Sequence, residues 1–246
     1  MPRFYHQAPL NVDQVVSLDE DTHHHATRVL RLSVGDDVTL FNGQGGEYHG
    51  VLSHIDKRTS LVALHDFHAD DRMPPTHITL VQGLSSQNNM DWTIEKATEL
   101  GVSVIQPIVT EYVNHHLSGE RLVKRQQHWQ KLAIQSCCQS QRNLIPEITP
   151  LMTLVEWLAG HVRDAHADRQ IWLLHPHRLS QSMAQITPRR GVPQVLMIGP
   201  EGGFSVQEIE RMVALQLQPV TLGARILRTE TAGIVGLSVL NGIMGF

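Results

Sequence analysis

Val195-Leu196-Met197-Ile198-Gly199-Pro200-Glu201-Gly202-Gly203-Phe204-Ser205 is the stretch that decides the fold class. Its four leading apolar residues read as a strand buried on both faces. A glycine-rich turn follows at 199–203. Ser205-Val206-Gln207-Glu208 then has capping-box spacing, so a helix begins there. Strand, glycine loop and capped helix in that order belong to an α/β domain with a mostly parallel sheet. Such sheets bind ligands at the carboxyl ends of their strands. Glycines at that place let backbone groups approach a ligand closely. The spacing is not G-x-G-x-x-G, so the dinucleotide fingerprint fails. On composition alone, a plain strand–helix turn explains the loop at least as well as a binding loop does.

A second loop of the same kind lies downstream. Leu222-Gly223-Ala224-Arg225-Ile226-Leu227-Arg228-Thr229-Glu230-Thr231-Ala232 follows a short apolar run and leads into a final helix, with Thr229 as its N-cap candidate. A capped helix with a surface ion pair is the bland reading. Two loops that both follow strands favour a shared pocket. Upstream of them, apolar patterning predicts strands over 77–83, 102–109, 170–174, 194–198 and 219–222. It predicts helices over 88–100, 120–140, 205–215 and from 229 onward. These alternate, which places helices on both faces of the sheet.

The first part of the chain reads differently. Strands are expected over 37–41, 46–55 and 60–67, with Asn42-Gly43 and Gly45-Gly46 as turn chemistry. One helix is expected within 18–32, started by a capping box at Ser17 and Glu20. A small β-barrel with one helix fits. Ala69-Asp70-Asp71-Arg72-Met73-Pro74-Pro75-Thr76 is polar and proline-rich and reads as a linker. The expected domains are therefore 1–72 and 73–246.

The 246 residues leave ample room for a buried core, and 41% are apolar against 18% charged. The start has no apolar leader run, and no stretch is long enough to cross a membrane. The only cysteines, Cys137 and Cys138, are adjacent, which gives no disulfide framework and no four-ligand zinc site. A cytoplasmic setting is expected. Formal charge is −4 with 16 histidines taken as neutral, which at first argues against a nucleic-acid partner. The charge is uneven, however. Residues 1–72 hold 6 Lys/Arg against 11 Asp/Glu, a net of −5, while 73–246 hold 14 against 13, a net of +1. Arg121, Lys124 and Arg125 gather on one predicted helix, and Arg28 and Arg31 on another. These five are candidate contacts for an anionic partner, and binding there should be local and shape-dependent.

Several blocks together resemble the RsmE family of the SPOUT superfamily, the small-subunit (16S) ribosomal RNA uridine-N3 methyltransferases. They are Ile198-Gly199-Pro200-Glu201-Gly202-Gly203-Phe204, the 222–232 loop, Lys96-Ala97-Thr98-Glu99-Leu100-Gly101-Val102, Gln139-Ser140-Gln141-Arg142 with Pro146, and Arg28-Val29-Leu30-Arg31. The resemblance spans essentially the whole chain. It implies a small PUA-like β-barrel domain followed by a SPOUT-type α/β domain with a C-terminal deep trefoil knot. It also implies S-adenosylmethionine as cofactor, a homodimer, and ribosomal RNA in the assembled small subunit or a late precursor as partner. Carried over residue by residue, the cofactor would be held by Leu174 and His175, by Gly199, Pro200, Glu201, Gly202 and Gly203, and by Leu222, Gly223, Ile226, Leu227 and Arg228.

Uracil N3 carries a proton and is a poor nucleophile until it is lost, so an anion stabiliser or a base is needed. Arg228 and Arg142 are candidates for the first role. Glu230 is a candidate base, with a helix-capping or ion-pairing role rated slightly above it. The sequence departs from the family at Thr110-Glu111-Tyr112-Val113-Asn114-His115-His116, where Tyr112 replaces an arginine. No metal site is expected. His23-His24-His25 point about 100° apart on a helix, and His175-Pro176-His177 lack a supporting carboxylate or thiol set. The competing functions are a SPOUT enzyme with another RNA target, a non-catalytic RNA-binding assembly factor, and an oxidoreductase, which the missing fingerprint disfavours.

Overall fold

The structure, a computed structural model, describes residues 1–113, 117–162, 168–176 and 180–245. Asn114, His115, His116 and His177 lie outside the described residues. The chain divides into two units. Met1–Met73 and Cys137–Ile145 form the first; Pro74–Ser136 and Pro146–Phe246 form the second.

The first unit is built on a five-stranded mixed sheet. Its strands are β1 (Arg3–Tyr5), β2 (Val15–Ser17), β3 (Asp37–Phe41), β4 (Glu47–Ile55) and β5 (Ser60–His68). Their order is β1-β3-β4-β5-β2, parallel only between β1 and β3. Val16, Val38, Leu40, Leu52, Val62 and Leu64 alternate inward and pack with Phe4, Leu18 and Ala26. The short helix α1 (Glu20–His24) runs on into a π-turn at His25–Val29. Its cap is Asp19, whose Oδ1 accepts from Thr22 N at 2.8 Å, and not Ser17 as expected. Ser17 is held in the β2–β5 ladder opposite Leu61, so it cannot turn to cap. The three histidines part as expected. His23 is buried on Ser60 Oγ at 2.7 Å, His24 is exposed, and His25 stands edge-on to Phe4.

The segment Cys137–Ile145 completes this unit through polar contacts. Arg3 donates to Glu47 Oε2 (2.5 Å), to Asn143 Oδ1 and to the Arg142 carbonyl (3.1 Å). Arg72 holds Glu47 with two guanidinium nitrogens at 2.8 and 2.9 Å, and also reaches the Gln141 carbonyl. Asn143 donates to the Asp70 carbonyl. The hydrogen bonds from Arg72 hold the Glu47 carboxyl down at about 2 against the pull of burial, with Arg3 adding to them.

The second unit is a parallel sheet. Its strands are β6 (Ile78–Gly83), β7 (Val104–Val109), β8 (Glu147–Ile148), β9 (Met152–Thr153), β10 (Gln170–Leu174), β11 (Gln181–Ser182), β12 (Gln194–Ile198) and β13 (Gln218–Thr221). The order is β11-β13-β10-β12-β6-β7-β8, with β9 also on β7, and every pairing is parallel. β12 is buried at every residue. Its side chains split between two cores, Leu196 and Ile198 on one face, Val195 and Met197 on the other. The first core takes α2 (Gln87–Glu99), α3 (Gly119–Ser140) and α6 (Thr229–Met244), through Met90, Ile94, Trp129, Leu237 and Leu240. The second takes α4 (Leu154–His161) and α5 (Val206–Ala214), through Trp157, Ile209 and Met212.

The reading of the sequence did not include α4. Its signal was present, since Thr153 and Glu156 form a complete capping box. The box at Ser205 and Glu208 forms as expected. No helix among the described residues is long and apolar enough to cross a membrane. Cys137 is buried, and burial pushes its thiol up to about 12.

Candidate active site

Three loops at the carboxyl ends of β10, β12 and β13 meet around one cavity of about 640 Å³. Leu174, His175 and Pro176 come from the first loop. Ile198, Gly199, Pro200, Glu201, Gly202, Gly203 and Phe204 come from the second. Ile226 to Glu230 come from the third, with Ala232 on α6 and Asn89 on α2. A smaller adjoining pocket adds Leu222 and Arg225 between the first and third loops. Of the cofactor-loop residues expected from the sequence, only Gly223 lines neither cavity.

The β12 loop is fixed from several sides. Gly83, the last residue of β6, lies against Gly199 and Pro200 so closely that any Cβ there would overlap them. Gly203 sits at φ +71, which L side chains avoid, and its amide closes the turn on the Pro200 carbonyl at 2.9 Å. Glu201 Oε1 accepts from Ser86 N at 2.8 Å and from Asn89 Nδ2 at 3.0 Å. Burial pushes the Glu201 carboxyl up, but these donors outweigh it and hold its pKa below the ordinary value. Tyr112 stands behind the loop, where a Cβ on Gly202 would meet its Cβ at 3.0 Å. The residue that departs from the family pattern therefore has a packing place against the loop.

The third loop is tied to the second by one hydroxyl. Thr229 Oγ1 donates to the Gly199 carbonyl at 2.5 Å and accepts from Gln82 Nε2 at 2.8 Å. Arg228, not Thr229, occupies the N-cap of α6, without a side-chain cap bond. The reason is visible in the same contacts: both faces of the Thr229 hydroxyl are engaged elsewhere. Neither Gln82 nor Thr229 was singled out as a site residue from the sequence. A buried polar residue at the carboxyl end of a strand was the available signal for Gln82.

Two charged groups of the cavity are left over. Arg228 is exposed, and its guanidinium has no partner among the described residues. Glu230, in the first turn of α6, has a buried Oε2 without a hydrogen-bond partner among the described residues. The expected ion pair between Glu230 and an arginine is not found among them. An unpaired buried acceptor costs about 1–3 kcal/mol, so its retention marks a place that a ligand can satisfy. Ile226 stands almost wholly in solvent at the rim, at 92% exposure. Apolar wall, open backbone loop, one cation and one unsatisfied carboxylate suit a ligand with an apolar ring, hydroxyls and charged groups.

Arg142 does not line this cavity. It belongs to the first unit, where it is 3% exposed, and burial brings its guanidinium down to about 10. Within that unit it is buried beside Cys137. Among the candidate RNA contacts, Arg28 is exposed in a polar cleft shared with His24, Lys57 and Arg58, and Arg31 is exposed with φ +56. Lys57 and Arg58 had not been singled out. On α3, Arg121 is exposed, Lys124 faces Glu120 at 3.7 Å, and Arg125 donates to Gln87 at 2.9 Å.

Residues 72–241 match the model of an RNA methyltransferase domain, and 18–64 that of an RNA methyltransferase PUA domain. The ribosomal RNA small subunit methyltransferase E of Buchnera aphidicola (subspecies Acyrthosiphon pisum) is 30% identical, over all of this chain and 94% of that protein. The protein of the same name from Synechocystis is 30% identical over 95% of this chain and 75% of its own length. The crystal structure of such an enzyme from Neisseria gonorrhoeae, bound to S-adenosylmethionine, superposes with a TM-score of 0.90. It is 33% identical and covers 99% of this chain and 98% of that one. A Legionella pneumophila structure that also holds S-adenosylmethionine reaches 0.88 at 32% identity, covering 98% and 97%.

Proposed function

Because the chain belongs to the RNA methyltransferase family that includes ribosomal RNA small subunit methyltransferase E, we propose that it methylates N3 of one uridine in 16S ribosomal RNA. S-adenosylmethionine is the methyl donor. The observation that carries the reading is the three-loop cavity, where Arg228 and Glu230 Oε2 have no partner among the described residues, in a chain whose relatives of known structure hold that cofactor.

The lining fits the cofactor. Leu174, Ile226, Leu227 and Ala232 offer an apolar slot, and the open backbone of the 199–203 loop offers amides and carbonyls. Leu174, His175, Gly199, Pro200, Glu201, Gly202, Gly203, Leu222, Gly223, Ile226, Leu227 and Arg228 would hold it. When bound, it supplies an electrophilic methyl group on a sulfonium. The Arg228 guanidinium stabilises negative charge that develops on the uracil carbonyl oxygens as N3 loses its proton. Glu230 Oε2 is the acceptor for that proton. Gln82 and Thr229 keep the two loops in register, so that N3 and the methyl group are aligned.

The finer reading goes with the family. The second unit forms the SPOUT-type knot, and the first unit is the PUA-like RNA-binding domain. The knot is supported by the path of the chain. β13 pairs with β10, and the chain then returns to the β12 loop at Thr229. Arg28, Arg31, Arg121, Lys124 and Arg125 contact RNA phosphates. The enzyme works in the cytoplasm as a homodimer on the assembled subunit or a late precursor. Exposed Trp92 on α2 and Ile243 on α6 support a second copy as neighbour.

Mass mapping of 16S rRNA from a strain lacking the gene tests the substrate. One uridine should lose a base methyl and regain it when the gene is restored. Unchanged methylation would end the assignment. Titration calorimetry tests the cofactor, since S-adenosylmethionine should bind and NAD should not.

A further inference from the structure

We propose that His49, Asp66 and His68 form a binding site for one divalent transition-metal ion of the zinc class, on the β4–β5 ribbon of the first unit. In the ladder, His49 lies opposite Asp66 and Glu47 lies opposite His68. Side chains two apart on a strand share a face, so all four groups project from the same side of the ribbon. One donor atom from each of His49, Asp66 and His68 lies within 4.8 Å of the others. The two imidazole rings have centroids 4.3 Å apart, and His68 Nε2 is 3.0 Å from Asp66 Oδ2.

The donor set decides the class of ion. Two imidazoles with one carboxylate favour zinc, nickel or cobalt, whereas magnesium and calcium require oxygen ligands. Zinc–ligand bonds of about 2.0–2.2 Å put tetrahedral donors roughly 3.5 Å apart, so the side chains need close by only about 1 Å. All three are partly or fully exposed and have room to do so, and water can take the remaining position.

The surroundings support the site. Glu47 Oε1 stands 3.4 Å from His49 Nε2, and Glu47 itself is fixed by Arg3 and Arg72. A fixed carboxylate behind a histidine is the usual outer partner of a metal ligand. The ladder also slips register between His49 and Gly50, and such bulges re-aim the side chain beside them. The sequence hides the cluster, because His49 and Asp66 are brought together only by strand pairing.

The test uses the full-length protein, stripped with a chelator, dialysed and titrated calorimetrically with zinc chloride, nickel chloride and magnesium chloride. The expected result is one equivalent of zinc or nickel bound with micromolar affinity and no response to magnesium. His49→Ala and His68→Ala should each weaken binding roughly tenfold or more. Zinc should raise the melting temperature of the parent but not of the His49→Ala/His68→Ala double variant. Circular dichroism in the absence of metal verifies that the variants fold. Unchanged zinc affinity in the folded double variant would assign the binding to other histidines and overturn the proposal. So would affinity no better than millimolar in the parent.

Discussion

In the first unit, both Glu47 oxygens meet arginines, and Arg3, Arg72 and Asn143 close a ring of hydrogen bonds around it. In the second, Glu230 keeps a buried oxygen with no partner among the described residues, and Arg228 stands unpaired at the same cavity. The residue types are the same, acid and arginine, but the outcomes are opposite. In the first cluster both oxygens of the carboxylate are satisfied without any ligand, although Arg3 Nε finds no partner among the described residues, and the cluster holds remote segments of one unit together. The second is incomplete as it stands, which is what a binding and reacting site requires. Satisfaction of the carboxylate oxygens therefore separates Glu47 from Glu230 better than charge or burial does.

Four changes would break or sharpen that contrast. Glu47→Ala strands Arg3 and should cost about 3–5 kcal/mol of stability, read from urea unfolding. The turnover of molecules that remain folded should stay at the parent value. A loss of turnover with intact stability would reverse the contrast. Arg228→Ala should do the opposite. Its melting curve should match the parent's and S-adenosylmethionine should still bind through the other residues of the three loops, while kcat falls about 10²–10³-fold, as for loss of one anion-stabilising donor. Full turnover in that variant would remove Arg228 from the chemistry.

Acid should act on the scaffold most strongly through Glu47. The Glu47 pKa is depressed to about 2 in the folded chain. Its stabilisation is therefore complete above the ordinary carboxylate range near pH 4.5 and is lost as pH falls toward 2. The loss should be on the order of 2–3 kcal/mol, and Glu47→Gln should flatten that part of the stability profile. Thr229→Val should have the mildest effect. It keeps the shape but removes the link from Gln82 to Gly199, so KM for S-adenosylmethionine should rise roughly tenfold while stability falls by about 1 kcal/mol. Thr229→Ser should restore it; if it fails to, the hydroxyl is not the link.

What could be read in the sequence follows the range of the interactions. The 195–205 stretch was legible because its apolar run, its glycines and its Ser205/Glu208 box all act within a few residues. The ends of β10, β12 and α2 fell close to their predicted positions for the same reason. The burial of Arg142 could not be read locally, because it depends on the packing of the 137–145 segment in the first unit. Ser17 and Thr229 both carried good cap chemistry, but a ladder partner took one and two loops took the other. The His49–Asp66–His68 cluster depends on neighbours distant in sequence, and no local pattern announces it.

The division of the chain also sets an order of events during synthesis. The Arg3 side chain finds acceptors at Arg142 and Asn143, and Arg72 finds one at Gln141. When Met73 leaves the ribosome, five strands of the first unit are available but its last segment does not yet exist. Folding of that unit can begin early, yet it closes only after residues through Ile145 have emerged. A fragment ending at Met73 should accordingly be protease-sensitive until a peptide spanning 137–145 is supplied.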